Sequence, residues 1–261
     1  MAKDRVESGR GGGRQQSVKN ARKQSKGPFY AIVGVVALLG VGSLVYLANK
    51  RGETAVATLD PNLPPVKAVG YTLGNPDAPV EIIEFADFEC PGCGQFANVT
   101  EPDVRKNLIE TGRARFRFLD FPVNSSHANS LTASLAAGCA HDQGKFWEMH
   151  DLIFQTQDRW STPYTNNPRK VMNDLAGQLQ LNMEQFGQCM DTKKYQANVK
   201  ANAEEATRVG VNSTPSFLVD GKIFTGGNYD QLKQAVDSAH AKLGAGAGAA
   251  KAGAPADSAR P

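Results

Sequence analysis

The stretch from Val80 to Phe121 leaves few architectures open. Val80 to Phe88 (VEIIEFADF) is apolar and aromatic, with Asn75-Pro76-Asp77-Ala78-Pro79 before it and Cys90-Pro91 after it, the pattern of a central strand. Residues 91–111 are predicted to form a helix that closes at Thr111-Gly112. Arg113 to Phe121 (RARFRFLDF) then alternates Arg with Ala and Phe before reaching Pro122. Two strands joined through a helix form a parallel crossover unit, so the fold class is α/β.

Cys90-Pro91-Gly92-Cys93 lies at the strand-to-helix junction. With Cys90 as the cap, Pro91 takes the first helical position, where its missing N–H would have had no helical partner. Cys93 falls three residues on, within disulfide reach. The free N–H groups and positive dipole end of the helix favour a Cys90 thiolate. A zinc half-site would need two further ligands, and Cys139 and Cys189 are isolated. A purely structural disulfide across so short a loop would stabilise little.

From about Ser125 to Val209 the pattern is helical. Strand signals return at Pro215–Val219, with Asp220-Gly221 as a hairpin turn before Lys222-Ile223-Phe224. A last helix is expected from Tyr229 to Leu243, followed by a Gly/Ala-rich tail, 244–261, too poor in large side chains to order. The folded domain is then 66–243.

Ahead of it, Phe29 to Ala48 runs twenty residues without a charge, the length a helix needs to cross a membrane. Residues 1–26 carry eight basic and two acidic side chains, +6 against +3 for the whole chain, so the remainder is −3. The basic arm 1–28 is therefore expected in the cytoplasm, the span over 29–48 in the lipid bilayer, and a proline-stiffened linker, 49–65, outside, as the positive-inside rule requires. Ala55-Val56-Ala57 has the form of a cleavage site, but it lies well past the apolar run. This context argues against nucleic acid as the partner of the basic arm.

Four phrases in order carry a resemblance: Gly74–Val80 (GNPDAPV), Glu84–Cys93 (EFADFECPGC), Cys139-Ala140 with Gln143–His150 (QGKFWEMH), and Gly210–Phe217 (GVNSTPSF). Together they resemble the DsbA-like branch of the thioredoxin superfamily in its membrane-anchored bacterial form, over about residues 66–240. The resemblance implies a thioredoxin fold with an inserted α-helical domain at about 125–209, preceded by one N-terminal transmembrane helix. It implies that Cys90 is the exposed nucleophile, Cys93 the buried resolving thiol, and Pro91 and Gly92 the motif spacer. Pro215 matches the family's cis-proline, and Thr214 would offer backbone groups to an extended substrate. Glu84 matches a buried acid that passes protons to and from Cys93; its alternative is a surface acid at the strand end. The pairing that leaves CPGC free to cycle is a structural disulfide between Cys139 and Cys189, two buried free thiols being the alternative.

The implied function is an extracytoplasmic, periplasmic oxidase that gives disulfides to unfolded or reduced exported proteins and is reoxidised by a quinone-coupled membrane partner. It needs no cofactor beyond the Cys90–Cys93 disulfide and no metal; His127, His141, His150 and His240 lack metal spacing, and His141 and His150 are expected to be structural or exposed. A reductase or isomerase of the same compartment, and a non-catalytic binding module, are the competing readings.

Overall fold

The computed structural model describes residues 27–50, 56–60, 62–123 and 126–252. The chain divides into two units, Met1–Glu53 and Thr54–Pro261. In the first, α1 runs Gly27–Lys50, so a helix covers the apolar run. Its described side chains, Tyr30 to Leu44, are exposed. Among the described residues, no helix is long and apolar enough to cross a membrane. The basic arm 1–26 lies outside the described residues.

The second unit is built on a six-stranded sheet of β1 (Val56–Thr58), β2 (Tyr71–Leu73), β3 (Glu81–Ala86), β4 (Arg115–Asp120), β5 (Ser216–Val219) and β6 (Lys222–Thr225), ordered β1-β6-β5-β3-β4-β2. Only β3 and β4 pair parallel, with Glu84 opposite Phe118; on its other side β3 runs antiparallel to β5, with Glu84 opposite Phe217. The alternation in β4 has a plain cause. Phe116 and Phe118 are buried, while Arg115 and Arg117 project to the other face and share Glu81 at 2.8 and 2.7 Å. The β5–β6 hairpin turns on Asp220 (φ 47°) and Gly221 (φ 75°), the left-handed pair that a two-residue type I′ turn requires.

The helical crossover is not one regular helix. It comprises α2 (Pro91–Gln95), a π turn at Phe96–Thr100, α3 (Glu101–Val104) and a second π turn at Arg105–Ile109. Pro102 has no N–H to give Asn98, and the turn before it widens, with Glu101 N–H reaching Phe96 O. That swing puts Glu101 into the core at 1% exposure. Gly112 closes the run at φ 72°, as its position after Thr111 suggested.

The helical block holds α4 (Ser130–His141), α5 (Phe146–Gln155), α6 (Gln157–Trp160), α7 (Pro168–Gln178), α8 (Met183–Asp191) and α9 (Gln196–Arg208). Met149, Ile153, Trp160, Leu175 and Phe186 form its core, continuous with Phe88 and Phe118 from the sheet side. One sheet face packs Ile82, Phe116 and Phe217 against Phe96, Leu108, Leu232 and Val236; the other packs Ile83, Phe85 and Leu218 against Ala206 and Val209. The final helix, α10, spans Tyr229–Ala252.

Two sequence expectations need correction, and one strand was not foreseen. Val56–Thr58, placed in the 49–65 linker, is an edge strand on β6, and Leu59 N–H donates to Gly221 O at 2.7 Å; a β-branched, small-residue triplet pairs readily with an open edge. Tyr71–Leu73 is likewise a strand, antiparallel to β4. The tail expected to be unstructured from 244 continues α10 as far as Ala252, a stretch rich in alanine, the best helix former; residues 253–261 lie outside the described residues.

Candidate active site

Cys90 caps α2 with extended backbone (φ −69°, ψ 123°) and Pro91 takes the first helical position. Its N–H is tied to Asp87 O at 3.0 Å, and its carbonyl accepts from Gly94 N–H at 3.1 Å. Both cysteines are free thiols. Cys93 is fully buried, and Cys90 is only 9% exposed, less open than the expected exposed nucleophile because the 214–215 loop lies over it. The Thr214–Pro215 peptide bond is cis. As a thiol, Cys90 donates to Thr214 O at 3.4 Å.

The environment splits the two sulfurs. A hydrogen bond from the Cys93 thiol, helped by the Thr214 side chain and the backbone N–H groups of Cys93 and Gly92, outweighs burial and lowers the Cys90 pKa to about 5. Burial, then the hydrogen bond with Cys90, pushes Cys93 well above the ordinary thiol range. Gly92 makes the close approach possible: a Cβ there would stand 3.3 Å from Pro215 Cδ and 3.7 Å from Cys90 Sγ. The short spacer thus fits the cis-proline loop.

Glu84 is 1% exposed, inside the core. Burial and then the neighbouring Glu101 raise its pKa well above the carboxylate range, against a lowering by Arg105. Glu84, Glu101 and His150 bring ligand-type atoms within 4.8 Å of one another, the one such group among the described residues. Arg105 already binds Glu101 Oε1 through Nε at 2.7 Å, and a Glu84 held protonated offers a cation no charge. The cluster is therefore suited to proton traffic rather than to a metal.

Several residues that shape the site carry no local signal in the sequence. Gln157 Nε2 donates to Phe88 O at 2.7 Å and Cys90 O at 3.0 Å, joining α6 to the cysteine loop. Buried Asp87 accepts from Glu89 N–H, Val123 N–H and Ser130 Oγ and pairs with His127 Nδ1. Buried Glu89 accepts from the N–H groups of Asn129 and Thr162. Acids inside the apolar run EFADFE were the available hint, since a buried carboxylate needs several donors. Beside the cysteines opens a cavity of about 450 Å³ lined by Pro91, His127, Gln157, Asp158, Ser161 and Tyr164. Cys139 and Cys189 are joined in a disulfide.

A family model described as Thioredoxin matches residues 67–238. Probable disulfide bond formation protein D of Bacillus anthracis is 26% identical over 208 residues, 79% of this chain and 92% of that protein. The chain belongs to the DsbA-like oxidoreductases of the thioredoxin superfamily. This DsbA-like chain also matches the Na(+)/H(+) antiporter NhaA 3 of Salinispora tropica, 34% identical over 172 residues, which is 66% of this chain but spans only 25% of that relative's length. Among solved structures, oxidised BdbD from Bacillus subtilis shares the fold, at TM-score 0.57 and 23% identity over 72% of this chain and 98% of that one.

Proposed function

We propose that this DsbA-like chain is an extracytoplasmic thiol:disulfide oxidoreductase that introduces disulfides into reduced exported proteins through Cys90 and Cys93. The observation that carries the reading is the asymmetry of the pair, with Cys90 ionising at about 5 beside a buried Cys93 that stays protonated. A stabilised thiolate favours the reduced form, so the disulfide form is a ready electron acceptor.

In the reaction, a substrate thiolate attacks Cys90 Sγ and the Cys90–Cys93 bond breaks. Cys93 leaves with the electron pair and takes a proton from Glu84, the buried acid above it. A second substrate thiolate then attacks the substrate sulfur of the mixed disulfide, closing the substrate's own bond and releasing Cys90 as a thiolate. Two electrons pass to the enzyme, and a quinone-coupled membrane partner takes them away. Thr214, beside cis-Pro215, offers main-chain groups to an extended substrate.

Two features support the extracytoplasmic location. The Cys139–Cys189 disulfide suits an oxidising compartment, and the basic arm before the apolar run 29–48 supports a single-pass anchor in the bilayer with its N-terminus cytoplasmic.

Equilibration of the full chain with glutathione buffers tests the direction of flow. The expected potential lies nearer the roughly −120 mV of DsbA than the roughly −270 mV of thioredoxin. A value at the thioredoxin end would overturn the oxidase reading in favour of a reductase.

A further inference from the structure

We infer that His150 and Glu101 form a proton path from Glu84 to Asp151 at the protein surface, so that protons needed at the buried Cys93 enter and leave through α5 rather than past Cys90. The inference rests on the thiol-exchange reading above, which requires one proton at Cys93 for each enzyme disulfide opened.

Geometry defines the path. His150 is fully buried and Glu101 is 1% exposed. Both Glu84 oxygens, Glu101 Oε2 and His150 Nε2 have no hydrogen-bond partner among the described residues, yet they converge within 4.8 Å, with His150 Nε2 3.8 Å from Glu101 Oε2. Four unpartnered polar atoms in one core carry a large desolvation cost. At the other ring edge, His150 Nδ1 meets Asp151 Oδ1 at 2.8 Å. The Asp151 side chain is 38% exposed and lines an open cavity of about 300 Å³ with Arg105, Pro102 and Gln155. The imidazole thus bridges a sealed carboxyl cluster and a wet carboxylate.

Other parts hold it in place. The ring stands edge-on to Phe88 at 5.8 Å, Phe118 at 5.2 Å and Phe154 at 4.9 Å, which fixes its plane. Arg105 binds Glu101 through Nε at 2.7 Å and Asp151 at 3.0 and 2.6 Å, keeping both ends of the path in register. The charged or titratable groups facing the cluster are Cys90 at the cap of α2, Cys93 within it, Arg105 from the second π turn, and Asp151 from α5.

The bookkeeping of protons closes over a full cycle. When Cys93 leaves as a thiolate, Glu84 gives it a proton; His150 takes one at Nδ1 from the Asp151 side and releases one from Nε2 to the carboxyl pair. The ring ends in its other tautomer. When the membrane partner reoxidises the enzyme, Cys93 loses its proton to Glu84 and the transfers run backwards. Reduction and reoxidation together restore the starting tautomer, so no ring flip is needed inside a packed core.

The test follows dithiothreitol reduction of the Cys90–Cys93 disulfide in the full chain by rapid alkylation quench, from pH 5 to 9, in H₂O and D₂O. His150→Gln and Glu101→Gln are expected to slow it about tenfold, less than the loss of a direct acid–base group because Glu84 remains, with an altered pH profile and a larger solvent isotope effect. Asp151→Asn, at the exposed end, is expected to do the same by about threefold, with Asp151→Glu restoring the rate. The thiolate absorbance of Cys90 should stay as in the parent. Parental rate, profile and isotope effect in Asp151→Asn would overturn the inference, as would a rate loss with an unchanged profile, or a parental rate that shifts on chelation with EDTA. Failure of the underlying reading looks different: the unmodified chain would not oxidise a dithiol peptide at all.

Discussion

Two cysteine pairs sit in one domain and meet opposite surroundings. Cys90 caps the start of α2, where N–H groups point at its sulfur. Cys139 and Cys189 each lie in the last turn of their helices, α4 and α8, where carbonyl ends and the negative dipole disfavour a thiolate. Loop length divides them as well. The 139–189 bond closes a separation of 50 residues, worth about 4 kcal/mol of unfolded-state entropy, while a loop as short as CPGC yields only about 2 kcal/mol. Around the long-range bond the packing is tight: Gly138 lets the Tyr195 ring approach, since a Cβ there would stand 2.4 Å from it, and Asp142 holds Lys194 and the Tyr195 hydroxyl at 2.7 Å. The same covalent bond is thus a working part in one place and a staple in the other, and the helix end on which each sulfur sits makes the difference.

The largest effect should come from removing the reacting sulfur. Cys90→Ser is expected to reduce peptide oxidation to background and, at neutral pH, to lower urea stability below that of the reduced parent by the lost thiolate advantage; retention of activity would mean the pair is not the working group. The Cys139→Ala/Cys189→Ala double variant should do the reverse, losing about 2–4 kcal/mol in urea unfolding with turnover per folded molecule within about twofold. If the double variant instead lost activity at full stability, the two roles would have to be exchanged.

A pH titration of the redox potential sharpens the contrast further. The folded Cys90 thiol ionises near 5 and an unfolded one near 8.5. The reduced fold therefore has its full thiolate advantage above about pH 8.5 and loses it as the pH falls through about 5. With Cys93 protonated throughout, one proton accompanies two electrons above pH 5, so the potential should fall by about 30 mV per pH unit there and by about twice that below it. A slope of about 59 mV per unit up to pH 8 would show that Cys90 is an ordinary thiol.

Local patterns made part of this legible. The β3 strand, the helical start at Pro91, the Gly112 stop and the Asp220-Gly221 turn each depend on residues within a few positions, and each is where its pattern put it. The edge strands β1 and β2 are three residues long and take strand form only because β6 and β4 offer them an edge, so periodicity had nothing to register. At the site, the CPGC motif and the apolar setting of Glu84 were readable. Thr214, 124 residues from Cys90, was placed only through the family phrases. Glu101, His150 and Gln157 were not readable as a group: each is an ordinary helical polar residue until α3, α5 and α6 fold against the cysteine loop, and Glu101 turns inward only because Pro102 forces the π turn before it.

The finest test asks how far the staple and the working pair are insulated from each other. Gly94 is close to Gln157, and a Cβ at 94 would stand 2.2 Å from Gln157 Oε1. Gly94→Ala should therefore turn the amide away from the loop. Cys90 O would keep its bond from Gly94 N–H, but Phe88 O would lose its donor, a change of about 1–2 kcal/mol. Gln157→Ala should cost a similar amount, and because both substitutions break the same bond the double variant should cost less than their sum. Reduction of 90–93 is expected to change by severalfold in all three, whereas alkylation after mild reduction should find 139–189 as resistant as in the parent. If the 139–189 bond becomes labile as well, α6 transmits strain across the helical block, and the two pairs are coupled rather than independent.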